Sequence, residues 1–253
     1  MINYTEEGKG FPIVLIHGFC ETHEVWLKVA PLLAANYRII SIDLPGFGKS
    51  DALTRPFTID DAARKVIHFI ENDLKLTTCV AFGHSLGGYV VLAMAEHRPQ
   101  LLAGFGLIHS TAFADSQDRK VARGKVIEFV KENGVNPFVQ SFIPPLFFSR
   151  SHPAVADTVT LAEHTPPQTL IGYTEAMRAR PDRTHILKQY KNPVLFVAGE
   201  KDSIIPVQSL EEQAKLATLP SLVILHNAAH MGMLENVPET TQAIQMFMRR
   251  LEV

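Results

Sequence analysis

Val80-Ala81-Phe82-Gly83-His84-Ser85-Leu86-Gly87-Gly88-Tyr89 is the stretch on which the reading of this chain turns. An apolar run from Cys79 to Phe82 stops at a turn of small residues, and a helix-like run from Leu86 to Glu96 begins on its far side. Ser85 stands at the turn, inside the pattern G-x-S-x-G between a strand and a helix. The glycines have a steric task. Two chain segments pass close together around a strained serine, and a β-carbon at position 83 or 87 would collide with the crossing backbone. Such a turn lifts the serine hydroxyl clear of the main chain. It also aims the amide of Leu86, at the helix N-terminus, toward the place where an oxyanion would form.

Outward from this turn, strands and helices alternate. Toward the N-terminus, residues 2–8 read as one short strand. Phe11 to Ile16 is a buried strand ending at His17-Gly18-Phe19, and Arg38 to Leu44 is another, ending in Asp43-Leu44-Pro45-Gly46-Phe47-Gly48. Between these two, Trp26, Val29, Ala30 and Leu33 share a helical face. Thr58, with Asp61 three residues on, starts a helix expected to run to about Asp73. Toward the C-terminus, the helix from Leu86 to His97 stops near Pro99, and Ala103 to His109 is a strand.

The rhythm then breaks. Residues 111–190 carry helical segments at Asp118 to Glu132, Asn136 to Phe142, Ala154 to His164 and Gln168 to Ala179, separated by prolines. Alternation resumes with a strand from Pro193 to Gly199, a helix from Pro206 to about Ala217, a strand from Leu222 to Leu225 and a helix from Pro238 to Leu251. This order predicts an α/β fold: a mostly parallel central sheet with helices on both faces, formed by residues 1–110 and 191–253, with a helical insertion at 111–190. In such sheets ligands bind beyond the carboxyl ends of the strands. His17, Asp43, Ser85, His109, Asp202 and His230 all fall at or near strand ends.

Composition narrows the function. The chain has 253 residues, 46% hydrophobic and 20% charged, enough for one large domain that buries roughly three quarters of its unfolded surface. With 24 basic and 26 acidic residues and no charge block, nucleic acid and anionic membrane are poor partners. Cys20 and Cys79 lie far apart in apolar surroundings, which indicates no disulfide framework and suits a reducing, cytoplasmic setting. The opening MINYTEEGKG is polar and does not read as a signal peptide, and no run has the length of a membrane span. The histidines lack metal-ligand spacing and the glycines near positions 46 and 83 are misplaced for a phosphate loop, so neither metal nor cofactor is expected.

Five pieces together carry a resemblance: His17-Gly18-Phe19, Asp43-Leu44-Pro45-Gly46-Phe47-Gly48-Lys49-Ser50, Gly83-His84-Ser85-Leu86-Gly87-Gly88, Gly199-Glu200-Lys201-Asp202 and Ala229-His230-Met231. From residue 11 to residue 251 the chain resembles the α/β-hydrolase family. The resemblance implies that the insertion is the family's cap, placed after its sixth strand. The start is short, since one strand stands where the family usually has a two-stranded hairpin.

The family order of nucleophile, acid and histidine is met by Ser85, Asp202 and His230. A serine hydroxyl is a poor nucleophile until a base takes its proton. An imidazole titrates in the right range for that task, and a carboxylate holds it in the required tautomer. The amides of Phe19 and Leu86 are the implied oxyanion donors. Asp115 is a distant alternative acid. His23, His84, His109, His152, His164 and His185 are rival histidines, but only His230 follows the last strand and precedes the last helix. His84 and Tyr89 flank the serine as candidate substrate-binding residues. Phe142, Phe147 and Phe148 either line the same pocket or pack the insertion onto the core. Asp43 and its glycine turn read as scaffold.

The resemblance implies a serine hydrolase cleaving small to medium carboxylic esters through an acyl-enzyme, its partner a small-molecule ester. Lactonase, amidase or cofactor-free haloperoxidase chemistry uses the same three residues. In a different class, some relatives are receptors or scaffolds that bind a small molecule or a protein. Serine rather than aspartate at position 85 argues against dehalogenase and epoxide hydrolase chemistry. Met231, where carbon–carbon bond hydrolases carry tryptophan, argues against that class.

Overall fold

A computed structural model describes residues 1–251. Seven strands, β1 (Tyr4–Glu7), β2 (Pro12–Ile16), β3 (Arg38–Ile42), β4 (Cys79–His84), β5 (Leu102–Ile108), β6 (Val194–Gly199) and β7 (Pro220–Leu225), form one sheet in the order β1-β3-β2-β4-β5-β6-β7. Only β1 is antiparallel, pairing with β3; every other pair is parallel. The short start is therefore a single exposed edge strand. The central strands β4 and β6 are buried along their whole length, as continuous apolar runs between two helical layers should be.

The sheet order places the site. The chain leaves β2 toward β3 on one side and later returns to β4 on the other, so β2 and β4 flank the point where strand order reverses. Loops diverge there and leave a crevice beyond the carboxyl ends. The residues that follow those two strands are His17-Gly18-Phe19 and Ser85.

Between β5 and β6 lie five helices, Gln117–Asn133, Val135–Phe142, Ala154–Glu163, Pro167–Ala179 and Thr184–Gln189. Arg183 ties the end of this segment to its beginning and to the core. Its amide donates to the carbonyl of Ala112 (2.8 Å), and its buried guanidinium reaches Glu96 (2.8 Å) and Asp60 (2.6 Å).

Several expected elements change shape. The helix starting at Thr58 has the anticipated cap: Thr58 Oγ1 accepts from the Asp61 amide, and Asp61 accepts in return. It is regular over Ile59–His68 and widens into a π turn through Asp73. The face at Trp26, Val29 and Leu33 is fully buried, but it is made of a 3-10 turn, His23–Trp26, and a five-residue helix, Ala30–Ala34. The helices Thr184–Gln189 and Gly232–Glu235 were not expected, being too short to show a helical period. Among the described residues no helix is long and apolar enough to cross a membrane.

Candidate active site

Ser85 occupies the turn between β4 and the helix Leu86–His97 with φ 47° and ψ −110°, a left-handed conformation that costs a non-glycine residue about 1–3 kcal/mol. The surroundings enforce it. Ser85 N–H donates to the carbonyl of Ile108, and Ser110 Oγ donates to the carbonyl of Ser85 (2.6 Å). A β-carbon on Gly83 would come within 2.3 Å of Gly87 backbone, and one on Gly87 within 2.5 Å of the Ile16 carbonyl. The elbow is thus wedged against the start of the His17–Phe19 loop.

A candidate backbone donor stands on either side of this wedge. Leu86 opens its helix, so its N–H has no intrahelical acceptor. The N–H of Phe19 takes no backbone acceptor among the described residues.

Asp202 and His230 come together across the carboxyl ends of β6 and β7. His230 Nδ1 donates to Asp202 Oδ2 at 2.8 Å, and both side chains are buried. The other oxygen, Oδ1, accepts from the amides of Ile204 (2.8 Å) and Ile205 (2.9 Å). Burial by itself would push the Asp202 carboxyl up, but the charge of His230 and the hydrogen bonds around it hold it well below the usual carboxylate range. The bond at Nδ1 leaves His230 Nε2 without a protein partner among the described residues. The residue before the serine reaches the same loop, since His84 Nε2 donates to the carbonyl of His230 (2.9 Å).

A second histidine faces Asp202. His109 Nδ1 lies 3.4 Å from Oδ2 without hydrogen-bond geometry, so it is an electrostatic neighbour and not a second bond. Its Nε2 accepts from the amide of Gly232 (3.2 Å), and burial pushes the ring down to about 4 despite Asp202. The ligand atoms of His109, Asp202 and His230 lie within 4.8 Å of one another, the spacing of a possible metal trio. The 2.8 Å contact is a hydrogen bond between His230 and Asp202, whereas Nδ1 of His109 has no hydrogen-bond partner among the described residues.

The loop that carries His230 is also clamped to the helical segment. His230 N–H donates to the carbonyl of Leu146 (2.9 Å). Glu235 accepts from the amides of Phe148 (2.6 Å), Ala229 (2.8 Å) and Met231 (3.3 Å).

The remaining expected residues separate. His84 is fully buried with both ring nitrogens engaged, at Glu21 and at His230, and this corrects the expected substrate contact. The ring of Tyr89 lies under the guanidinium of Arg180, 3.9 Å from it. Phe147 is buried and stacks on His152, while Phe148 is 51% exposed. Phe142 packs edge-on to Phe19 (5.9 Å between ring centres) and stacks on Phe138, which puts it nearest the candidate oxyanion loop. Asp115 is buried between Arg123 and Arg180 (2.8 Å), which accounts for it without any histidine. Asp43 holds the glycine turn by accepting from His23, Asn3 and the Lys49 amide.

Glu21 and Glu235 were not expected in the site. Each is an acid a few residues beyond a recognised motif, which is a faint signal in a sequence. A cavity of about 840 Å³ lies away from Ser85, between residues 22–28, the turn at 43–49 and the helix Ala154–Glu163.

Comparisons with known proteins identify the family of the fold. Residues 12–237 match the family described as the alpha/beta hydrolase fold, and the chain belongs to that family. It is 29% identical over 247 residues to the dihydrolipoyllysine-residue acetyltransferase component of the acetoin cleaving system of Pseudomonas putida, covering 95% of this chain and 64% of that one. The chain thus spans less than two thirds of that relative. It is 26% identical to Lipase 1 of Psychrobacter immobilis, covering 98% of this chain and 81% of the relative. Among solved structures, a thermophilic esterase from Thermogutta terrifontis, with malate bound, superposes with a TM-score of 0.94 at 29% identity, covering 100% of this chain and 94% of that one.

Proposed function

We propose that the protein is a serine hydrolase acting on carboxylic esters of small to medium size, through an acyl-enzyme on Ser85. The observation that carries this reading is a strained, partly exposed Ser85 whose neighbour His84 bonds the backbone of His230, in a buried Asp202–His230 pair that leaves one imidazole nitrogen uncommitted. The likeness to an esterase over the whole chain supports it.

Each residue has one task in the reaction. His230 Nε2 takes the proton of Ser85 as the hydroxyl oxygen attacks the ester carbonyl. Asp202 fixes the Nδ1–H tautomer and stabilises the imidazolium that forms. The amides of Phe19 and Leu86 hold the oxyanion; each such donor contributes about 3–4 kcal/mol of transition-state stabilisation. The proton returns to the leaving alcohol, and water, activated by the same imidazole, releases the acid. The helical segment 111–190 acts as a cap, which restricts access to discrete small molecules.

Hydrolysis of p-nitrophenyl esters of increasing acyl length, wild type beside Ser85→Ala, tests this. Turnover that falls off with chain length and vanishes in the variant is expected. Equal activity in the variant, or none in folded wild type on any ester, overturns it.

A further inference from the structure

A second buried acid–histidine pair lies directly beneath the candidate oxyanion loop. Glu21 and His84 are 1% exposed at their side chains, and Glu21 Oε2 lies 3.0 Å from His84 Nδ1. The same Oε2 accepts from the amide of Gly18 (2.7 Å), and His84 Nε2 donates to the carbonyl of His230 (2.9 Å). The bonds run in one line from Gly18 N–H through Glu21 and His84 to the backbone of His230. That line joins the loop before Phe19, the residue before Ser85 and the residue that carries the base.

The protonation states follow from the partners. A carbonyl only accepts, so Nε2 of His84 must carry a hydrogen. Glu21 Oε2 already receives the Gly18 N–H, so a carboxylate accepting from both Gly18 and a doubly protonated imidazole satisfies every group. Space around the pair is closed, since a β-carbon on Gly18 would come within 2.6 Å of His84 Nδ1 and 2.9 Å of Glu21 Oε2. The loop so held is strained, with Cys20 at φ 60°.

We infer that Glu21 and His84 form a charged positioning pair that holds the Gly18–Phe19 loop and the His230 backbone in register around Ser85. The pair touches no reacting atom; it acts on the oxyanion donor and on the base through their main chains. This inference rests on the ester-hydrolase reading for its kinetic consequence, but the existence of the pair does not. Cys20 beside Glu21, His17 at the end of β2, His109 at the end of β5, and Asp202 and His230 beyond β6 and β7 are other titratable groups that face it. Burial opposes both charges. The attraction between them wins, holding Glu21 below and His84 above their ordinary values.

The test has two arms. Steady-state kinetics on p-nitrophenyl esters compare wild type with Glu21→Ala and Glu21→Gln. A misplacement of about 1 Å costs about 100-fold in rate, so Glu21→Ala is expected to lose about that factor in kcat with KM nearly unchanged. Glu21→Gln, which can still bridge Gly18 and a neutral His84, is expected to recover much of it. Unchanged kcat in a folded Glu21→Ala protein overturns the proposal, as does a loss confined to KM.

The second arm reads the ring protons of ¹⁵N-histidine-labelled protein by NMR and needs no substrate. His84 is expected to keep both protons at a pH where an ordinary imidazole is already neutral, in wild type and in Ser85→Ala, and to lose one in Glu21→Gln. A His84 that titrates near its ordinary value in wild type overturns the pair. A wild type that keeps the signature yet cleaves no ester refutes the ester reading and leaves the pair standing.

Discussion

Two acid–histidine pairs lie side by side in this protein, their imidazole rings 5.1 Å apart, and they are wired differently. In the Asp202–His230 pair, the acid is tied off by two backbone amides and the imidazole is bonded at one nitrogen only. In the Glu21–His84 pair, the imidazole is bonded at both nitrogens, and the chain of bonds ends at both sides on backbone. A histidine with an open nitrogen can move a proton. One closed at both ends can only hold its neighbours in place. Chemical type therefore does not tell a base from a brace; the second nitrogen does.

The comparison can be broken in graded steps. Removing the hydroxyl of the proposed nucleophile should have the largest effect: Ser85→Ala is expected to lose at least about 10⁴-fold in kcat, with circular dichroism and the His84 signature unchanged. Next comes the open pair. Asp202→Asn is expected to cost about 10⁴-fold in kcat, because the amide presents the wrong partner to Nδ1 and reverses the tautomer. A variant that keeps more than about a tenth of wild-type activity would place the acid elsewhere. The closed pair should be milder by about two orders of magnitude, as Glu21→Ala measures.

His109 sharpens the scale at its lower end. Its contact with Asp202 is long and off-axis. His109→Phe should therefore cost less than about tenfold in kcat, below the worth of a full hydrogen bond to a charge. A larger loss would mean that His109 is part of the open pair.

The smallest expected effect is on stability, and its sign follows from the two shifts. Glu21 is held below its unfolded value, so its contribution is present above about pH 4.3 and fades as pH falls. His84 is held above its unfolded value, so its contribution is full below about pH 6.5 and is lost as pH rises through its folded value. The gap in Tm between wild type and Glu21→Gln should accordingly be widest between about pH 4.5 and 6.5 and should narrow at alkaline pH. A gap that widens toward alkaline pH would contradict the charged pair.

How much was legible beforehand differs between these same two pairs. Ser85, Asp202 and His230 stand at or near strand ends, each beside a short motif whose glycines or chain order mark it, so local sequence singles them out as candidates. Continuous branched runs such as Ile13 to Ile16 marked the buried strands for the same reason. Glu21 and His84 are 63 residues apart, and nothing local says that they meet. His84 was visible only as a flank of the serine, which suggested substrate contact, whereas the fold turns its ring inward. Phe147 and Phe148 show the same limit within the helical segment. Adjacent and chemically identical, they differ because one faces the interior and the other solvent, which depends on packing across elements and not on period.

The clamp at Glu235 gives the helical segment a second office. Leu146 accepts the N–H of His230, and Glu235 binds Phe148 on the segment while also binding the residues on either side of His230. The segment and the loop that presents the imidazole thus hang on one shared set of hydrogen bonds, so a substitution at Glu235 loosens both together.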